Sequence, residues 1–558
     1  MKLQDLTSVE IKGIGIPTRV SVPPFADKNK LSDRIFGAFC RVNPELPCMQ
    51  DKKFIKRVFE CIKSAGGKDF TSKPDLVSFV ANDKEIAKWR KWYAEEKERK
   101  AAWKKANADE IKKQNDELKA KYGIVKINGN DEPLASWTIE PEGIFFGRGD
   151  SPLNGYWKFE NTAADIKLNT NSKSLPEALF YGEDGEMLIT SNFAWNVAWN
   201  PESHFAAQYN INIGIPNTDG SIKTLKSTKY KMIQFAAASS VKKEGQTKKY
   251  AAGATLGKSY EKVLAKIASD FKAKKDLSTT VAVFMLFEKG IRIGFAGETE
   301  NGTKGLLALE WGKDVKRSGN KIKFDFYGKD SVRDTSVIET EYADIIEETW
   351  AKDKMLKTDK LQIKQYISQV VPELDGIFTP KLARTAVAAY TATKALEEMT
   401  AKYKVTKSSP LALKKIAFDE ATMQVARRLN HQRGVNKVAE EKRKANFKAS
   451  EEKLDERKAK VAEQNKKREE KIKALKAAKK EGYKDKIKAL KEQIENSKAK
   501  IDQAELNLES KERNQNFTSG TAKASYIDPQ IIIRFCEEIE LPLEKVYSKA
   551  FLKRLNQN

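Results

Sequence analysis

The sequence predicts an α+β protein in which a β-rich region is followed by mainly helical segments. Three observations carry this prediction. Residues 123–234 are rich in Trp, Phe, Asn and Gly, and their short apolar runs are separated by turn signals. From about residue 260 the apolar residues recur with a helical period. Between residues 438 and 515 there is no proline and a single glycine, Gly482, in a tract rich in Lys and Glu.

Two further local predictions concern the first half of the chain and its middle. Residues 83–122 are predicted to form one long helix, because apolar residues recur along one face and Gly123 suits a helix C-terminus. In the later helical region we expect one strand pair, at residues 305–311 and 321–327. The second of these segments alternates charged and apolar residues with a period of two.

The tract at residues 438–515 is predicted to form an antiparallel helical hairpin. A seven-residue apolar repeat occurs on both sides of Gly482, which predicts a coiled-coil seam folded back at that glycine. The members of the repeat are Phe447, Leu454, Val461 and Leu475, with Arg468 interrupting, and then Ile487, Ile494, Ile501 and Leu508. A solvated single helix or a disordered Lys/Glu tract is the alternative.

The chain has a large excess of positive charge, which indicates the kind of partner it binds. There are 103 Lys and Arg against 78 Asp and Glu, a formal net charge of +25. This excess attracts polyanions, so nucleic acid is the leading partner and an anionic membrane surface the rival. The sequence has no apolar run long enough to span a bilayer and no apolar signal region, and its four cysteines lack metal-ligand spacing. We therefore expect an intracellular protein without a metal site.

Five short blocks contain the residues with the most specific chemistry. They are Arg292 in residues 290–294, Lys329 in 324–331, Arg384 in 381–385, His431 in 430–433 and Tyr526 in 523–529. A tyrosine is a weak nucleophile, because its phenol has a pKa of about 10 and roughly 0.1% of it is ionised at pH 7. Attack on a phosphodiester therefore needs cations beside the phosphate and a proton donor for the leaving oxygen.

With a further block at residues 140–149, these blocks in this order resemble the eukaryotic-type type IB DNA topoisomerases over nearly the whole chain. The resemblance implies a mixed cap domain, a helical catalytic domain like that of tyrosine recombinases, a coiled-coil linker and a small helical C-terminal domain. We expect these domains at residues 1–236, 237–437, 438–515 and 516–558. We also expect the chain to start at the family's core, without the long charged tail of many nuclear members.

The resemblance implies a role for each of the five residues. Tyr526 would be the nucleophile that forms a 3′-phosphotyrosine, Arg292, Arg384 and His431 would bind the phosphate, and Lys329 would be the general acid. A wider set would contact DNA: Arg148, Lys229, Tyr230, Asp330, Gln432, Thr521, Lys523 and Ser525. Many members have asparagine where Ser525 stands, which suggests weak sensitivity to camptothecin.

The resulting prediction is a DNA topoisomerase that needs no ATP and that Mg²⁺ at most stimulates. It would relax positive and negative supercoils as a monomer on double-stranded DNA, with little sequence preference and no membrane partner. It would be nuclear in a eukaryote, or located in the host cell or virion if viral. The alternatives are a tyrosine site-specific recombinase and a non-enzymatic basic DNA-architecture protein.

Overall fold

The computed structural model describes residues 6–17, 20–147, 151–181, 187–227, 230–294, 302–433, 437–478 and 482–555. The chain divides into two compact units, one made mainly of residues 2–247 and the other mainly of residues 248–558. Helices and sheets both contribute, which confirms the α+β prediction. Within these described ranges, none of the helices has the length and apolar character that a bilayer crossing requires.

The first unit combines helices with many short strands. Its helices are α1 (Leu31–Cys40), α2 (Lys52–Ser64), α3 (Leu76–Asn82), α4 (Lys84–Ala106), α5 (Ala108–Tyr122) and the first part of α6 (Ser240–Lys258). Its strands are β1 (Val9–Ile11), β2 (Gly13–Pro17), β3 (Ile124–Ile127), β4 (Asn130–Pro133), β5 (Gly143–Ile144), β6 (Trp157–Phe159), β7 (Ile166–Leu168), β8 (Glu177–Tyr181), β9 (Met187–Thr190), β10 (Asn196–Val197), β11 (Phe205–Tyr209), β12 (Asn212–Pro216), β13 (Ile222–Lys226) and β14 (Lys231–Gln234).

Small sheets and two apolar cores hold the first unit together. The strand orders are β1-β3-β4, β2-β8-β9, β10-β7-β11-β14 and β13-β12-β6-β5. One core lies among the sheets and includes the fully buried Ile14 and Ile166. The other packs α1 and α2 around aromatic side chains such as Phe59 and Trp157. Short strands therefore gain their stability from burial of alternate residues on shared cores.

The prediction of one continuous helix over residues 83–122 was wrong, because the structure has two helices there. Helices α4 and α5 meet at Asn107, whose φ of −111° and ψ of 26° leave the helical region. Its side-chain Nδ2 donates to the Trp103 carbonyl at 2.8 Å. Asparagine competes in this way for backbone acceptors, which makes it a poor residue in a helix interior.

The second unit is mainly helical. Its further helices are α7 (Tyr260–Ala273), α8 (Leu277–Glu288), α9 (Ala343–Asp353), α10 (Lys360–Val370), α11 (Pro380–Lys402), α12 (Leu411–Arg428), α13 (Lys437–Ala478), α14 (Tyr483–Arg513), α15 (Gly520–Ser525), α16 (Pro529–Glu538) and α17 (Lys549–Leu555). Its strands are β15 (Val315–Ser318), β16 (Lys321–Phe324), β17 (Phe326–Tyr327), β18 (Arg333–Asp334) and β19 (Val337–Glu339). Helix α8 is apolar on every side and is buried along most of its length, which makes it the centre of the core.

The predicted strand pair is only half correct. Strand β16 exists, but its hairpin partner is β15, joined through a turn in which Gly319 has a φ of +64°. Residues 305–311 instead contain the 3₁₀ turn Leu306–Ala308. The amide of Leu306 donates to the Arg292 carbonyl at 2.8 Å, and Gly294 and Gly305 approach so closely that a Cβ on either would clash. This turn therefore fixes the backbone beside Arg292.

Helices α13 and α14 pack as an antiparallel hairpin on either side of Gly482, which has a φ of +73°. The Lys458 ammonium lies 2.6 Å from Glu505, and the Asn465 amide oxygen accepts from the Ser497 hydroxyl at 2.9 Å. Leu454 and Ile494 of the predicted repeat are buried. Asn465 and Ile472, which the repeat did not include, are buried as well. The 42 residues of α13 extend about 60 Å.

Candidate active site

Tyr526 lies at the junction of two helices in the second unit. Its amide donates to the Ala522 carbonyl at 3.0 Å and so closes α15. Asp528 then begins α16 by accepting from the Gln530 amide at 3.0 Å, with Pro529 at the first helical position. The side chain of Tyr526 is only 6% exposed. The phenol is thus held on a short rigid connection and not on a long loop.

The segment before Tyr526 is joined to the loop that carries His431. The Thr518 amide donates to the His431 carbonyl at 3.0 Å, and the Arg433 amide donates to the Asn516 carbonyl at 2.9 Å. At the end of α14, the Asn514 amide group and Arg513 both donate to the buried carboxylate of Glu420 on α12. These bonds anchor the returning end of the hairpin close to the histidine.

Arg384 is a buried cation near the start of α11, 4% exposed. Its guanidinium donates to the carbonyls of Gly290 and Leu429 and lies 3.4 Å from His431 Nε2. Burial lowers the pKa of Arg384 to about 10, and the Arg292 charge adds to that effect while Tyr526 opposes it. The group therefore remains charged at neutral pH, oriented by two backbone carbonyls.

His431 is neutral in this setting. Burial and then the charges of Arg384 and Arg292 lower its pKa to about 3. Because a guanidinium can only donate, we assign the imidazole lone pair to Nε2 and the proton to Nδ1. The buried Nδ1 has no hydrogen-bond partner among the described residues. Such an unsatisfied buried group is typical of a site that a ligand completes.

The Tyr526 phenol is packed directly against these cations. The Arg384 guanidinium lies 5.1 Å and the His431 ring 5.2 Å from the centre of the Tyr526 ring. Burial alone would raise the pKa of Tyr526, but the charges of Arg384 and Arg292, with their hydrogen bonds, lower it below its usual value. The surroundings therefore favour the phenolate, which is the nucleophilic form.

A cavity of about 150 Å³ lies beside this cluster, and four of the five predicted residues line it: Arg292, Lys329, Arg384 and His431. We call it the cationic cavity. Lys329, which is exposed, reaches it from the 3₁₀ turn between β17 and β18. Arg292 is placed by Gly290, which has a φ of +66° and where a Cβ would lie 2.5 Å from the Leu429 side chain. The structure thus brings together side chains that are up to 234 positions apart in the sequence.

Three charged residues of the cationic cavity were missed by the sequence analysis: Lys289, Lys304 and Asp334. Lys304 is buried and paired with Asp314 at 2.8 Å and Glu310 at 3.0 Å. Burial lowers the pKa of Lys289, and Asp334 counters that effect. Lys289 could have been predicted from the sequence, because it stands three residues before Arg292. Nothing in the local sequence marks Lys304 as facing the same space.

The structure separates the predicted DNA-contacting residues into groups. Gln432 and Thr521 line the cationic cavity. The Lys523 ammonium is directed inward, donating to the Val546 carbonyl at 3.1 Å and lying over the Phe418 ring. Ser525 is exposed, and so is Tyr230 in the first unit. Arg148, Lys229 and the side chain of Asp330 lie outside the described residues. The roles of all eight stay predictions.

The described ranges contain no candidate metal site. There, no group of three or more His, Cys, Asp or Glu side chains is arranged so that it could hold an ion. The four cysteines are free, and burial raises the pKa of Cys61 and Cys536 to about 12. The thiols of Cys61 and Cys536 are therefore protonated at neutral pH.

Comparison with known proteins gives consistent matches. Models of the eukaryotic DNA topoisomerase I catalytic core and DNA-binding fragment match residues 238–472 and 34–211, and a C-terminal topoisomerase domain matches residues 498–556.

Relatives include DNA topoisomerase 1 alpha of Arabidopsis thaliana, 26% identical over 83% of this chain and 48% of the relative. DNA topoisomerase 1 of Drosophila melanogaster is 26% identical over 82% of this chain and 43% of the relative. DNA topoisomerase 1 of Homo sapiens is 25% identical over 79% of this chain and 55% of the relative. The chain spans about half the length of the curated relatives it matches. With the three models running from residue 34 to residue 556, the chain belongs to the eukaryotic DNA topoisomerase I family.

Proposed function

We propose that this chain is a type IB DNA topoisomerase that relaxes positive and negative supercoils by cutting and rejoining one strand of duplex DNA. The observation that carries the proposal is the buried Tyr526 phenol, packed against Arg384 and His431, which both line the cationic cavity. A basic DNA-architecture protein would have no use for a tyrosine whose pKa two neighbouring arginines lower.

The proposed reaction assigns one task to each side chain. The Tyr526 oxygen attacks phosphorus and its proton passes to solvent, while the bond from phosphorus to the 5′ oxygen breaks. Arg292, Arg384 and the neutral His431 donate to the non-bridging oxygens, where charge develops in the transition state. The Lys329 ammonium gives its proton to the departing 5′ oxygen.

The covalent intermediate explains why we expect no requirement for ATP or a metal ion. A 3′-phosphotyrosine ester conserves the energy of the phosphodiester, so the free 5′ hydroxyl can attack it and restore the strand. Guanidinium groups supply the positive charge that a metal would otherwise bring to the phosphate. Mg²⁺ would at most stimulate the reaction.

Double-stranded DNA is the proposed substrate, bound by a single copy of the chain with little sequence preference. The net charge of +25 favours binding through phosphates, which carry no sequence information. Of this, residues 438–515 contribute +7, from 24 Lys and Arg against 17 Asp and Glu. We infer that the hairpin lies near the DNA beyond the break and slows its rotation. A nuclear, DNA-associated location follows from the eukaryotic family.

The test is relaxation of positively and negatively supercoiled plasmids in EDTA without ATP, followed by mapping of the DNA end that is bound to protein. We expect relaxation of both signs and protein on the 3′ end, with Tyr526→Phe inactive and Tyr483→Phe, a hairpin tyrosine, unaffected. Protein on the 5′ end would overturn the proposal. Strand exchange between two duplexes would indicate a tyrosine recombinase. Topology changes that survive Tyr526→Phe would indicate an architecture protein.

A further inference from the structure

Lys249 on α6 contacts the backbone immediately before Tyr526. Its ammonium donates to the carbonyl of Ser525 at 2.8 Å and lies 4.1 Å from the centre of the adjacent Tyr250 ring. Ser525 is the last residue of α15, so its carbonyl has no partner four residues on within that helix. A cation at the C-terminal end of a helix also interacts favourably with the helix dipole.

This contact holds one end of a single rigid group. The Ser525 carbonyl and the Tyr526 amide belong to one planar peptide unit. At one edge of the plane the Lys249 ammonium fixes the carbonyl oxygen, and at the other edge the Tyr526 amide donates to the Ala522 carbonyl at 3.0 Å. The direction in which the Tyr526 side chain leaves the backbone is set by this plane.

We propose that Lys249 is a positioning residue for the nucleophile, holding the peptide plane before Tyr526 so that the phenol is aimed at the scissile phosphate. The inference rests on the proposed function. In-line attack is sensitive to position, and a displacement of about 1 Å can lower a rate by about 100-fold. The bond is made to a backbone oxygen, so it does not depend on which side chain stands at position 525.

Charged and titratable groups from other elements face Lys249. They are Lys381 in the first turn of α11, Asp528 at the start of α16, and Tyr547, which interacts with Tyr250 and Asp528. Burial, followed by the Lys381 charge, lowers the pKa of Lys249 to about 8, while Asp528 opposes the shift. As the pH rises through this value the ammonium loses its charge and its bond to the carbonyl weakens. An arginine at the same position would stay charged.

The test measures the rate of single-turnover cleavage of a nicked oligonucleotide duplex with the protein at saturating concentration. The Kd of the protein for the same duplex is measured over a range of salt concentrations. We expect Lys249→Ala to slow cleavage by roughly 10- to 100-fold while Kd changes less than about three-fold. Lys249→Arg should restore cleavage and remove the wild-type loss of rate above about pH 8. The matched control is Lys258→Ala, which removes an exposed lysine of the same helix and should cleave as wild type does.

Each other outcome has a definite meaning. Unchanged cleavage with a weaker Kd and a salt slope reduced by about one would make Lys249 a phosphate contact and overturn the positioning role. Equal cleavage rates for all variants would also overturn it. Thermal unfolding of Lys249→Ala within error of wild type excludes misfolding as the cause of a slower rate. If the wild type itself formed no covalent complex, the proposed function would fail first, so the two failures are distinguishable.

Discussion

The cluster around Tyr526 and the hairpin formed by α13 and α14 are both rich in positive charge, but they hold it in opposite environments. In the cluster, Arg384 is 4% exposed and fixed by two carbonyls. On the hairpin, most lysines and arginines are solvated and pair at most with a glutamate or aspartate on the surface. The sign of the charge alone therefore predicts attraction to DNA, whereas burial and orientation are needed for chemistry at one phosphate.

Removing one arginine from each region should separate the two environments most strongly. Arg384→Ala should lower the rate of single-turnover cleavage by about 1,000-fold, because it removes a preorganised donor to the phosphate. It also leaves the Gly290 and Leu429 carbonyls without their partner, at about 1–3 kcal/mol each. Arg457→Ala removes an exposed hairpin arginine and should leave cleavage unchanged. Cleavage by Arg384→Ala within ten-fold of wild type would contradict this account.

His431 shows what burial beside two arginines does to a titratable side chain of the cluster. Folding lowers the pKa of His431 from 6.5 to about 3, so between these values the unfolded chain binds the extra proton. Stability contributed by neutral His431 is therefore complete above about pH 6.5 and lost as the pH falls towards 3. We expect an effect of roughly 2–3 kcal/mol at about pH 4.5, at about 1.4 kcal/mol per pKa unit.

Thermal unfolding at about pH 4.5 and pH 7 measures this dependence. His431→Gln should reduce the loss of melting temperature on acidification, because it removes the group that gains a proton on unfolding. An acid dependence equal in wild type and His431→Gln would show that other groups govern it.

Much of the cluster could be predicted from the sequence because its residues stand in short, specific blocks. The blocks around Arg292, Lys329 and Tyr526 each contain a local feature that fixes the backbone, such as Gly290, the tight turn after Tyr327, or Asp528-Pro529. The hairpin was also predictable, since its repeat and its single glycine are local patterns.

What the sequence could not predict depends on contacts between distant segments. Lys249 and Ser525 are 276 positions apart, and only the folded chain brings them together. The strand expected at residues 305–311 failed because its amides bond to the backbone at Arg292 and Ile293 and not to a neighbouring strand. Likewise, the seam residue Asn465 is polar, so an apolar repeat does not find it.

Asn465 allows a smaller, more specific test of the hairpin. A polar residue in an otherwise apolar seam fixes the register of two helices at a cost in stability. Asn465→Leu should therefore increase the hydrogen-exchange protection of α13 and α14 in the full chain by about 5- to 10-fold, equivalent to about 1 kcal/mol. Ser497 tolerates the change because its hydroxyl also donates to the Ile494 carbonyl at 2.8 Å. Asn496→Leu, on the exposed side, should not add protection, and a loss of protection in Asn465→Leu would contradict the role of Asn465.

The smallest effect is expected for the ion pair between Lys458 and Glu505, which lie 2.6 Å apart across the hairpin. Both side chains are about 40% exposed, so water and salt screen their attraction and holding two long side chains in one geometry loses entropy. Lys458→Ala, Glu505→Ala and the double variant should therefore show the same protection of α13 and α14 within error, and the same plasmid relaxation. If the single variants lost protection that the double variant regained, the hairpin would use a specific pair as the Tyr526 cluster does. The contrast between solvated and buried charge would then not hold for the hairpin.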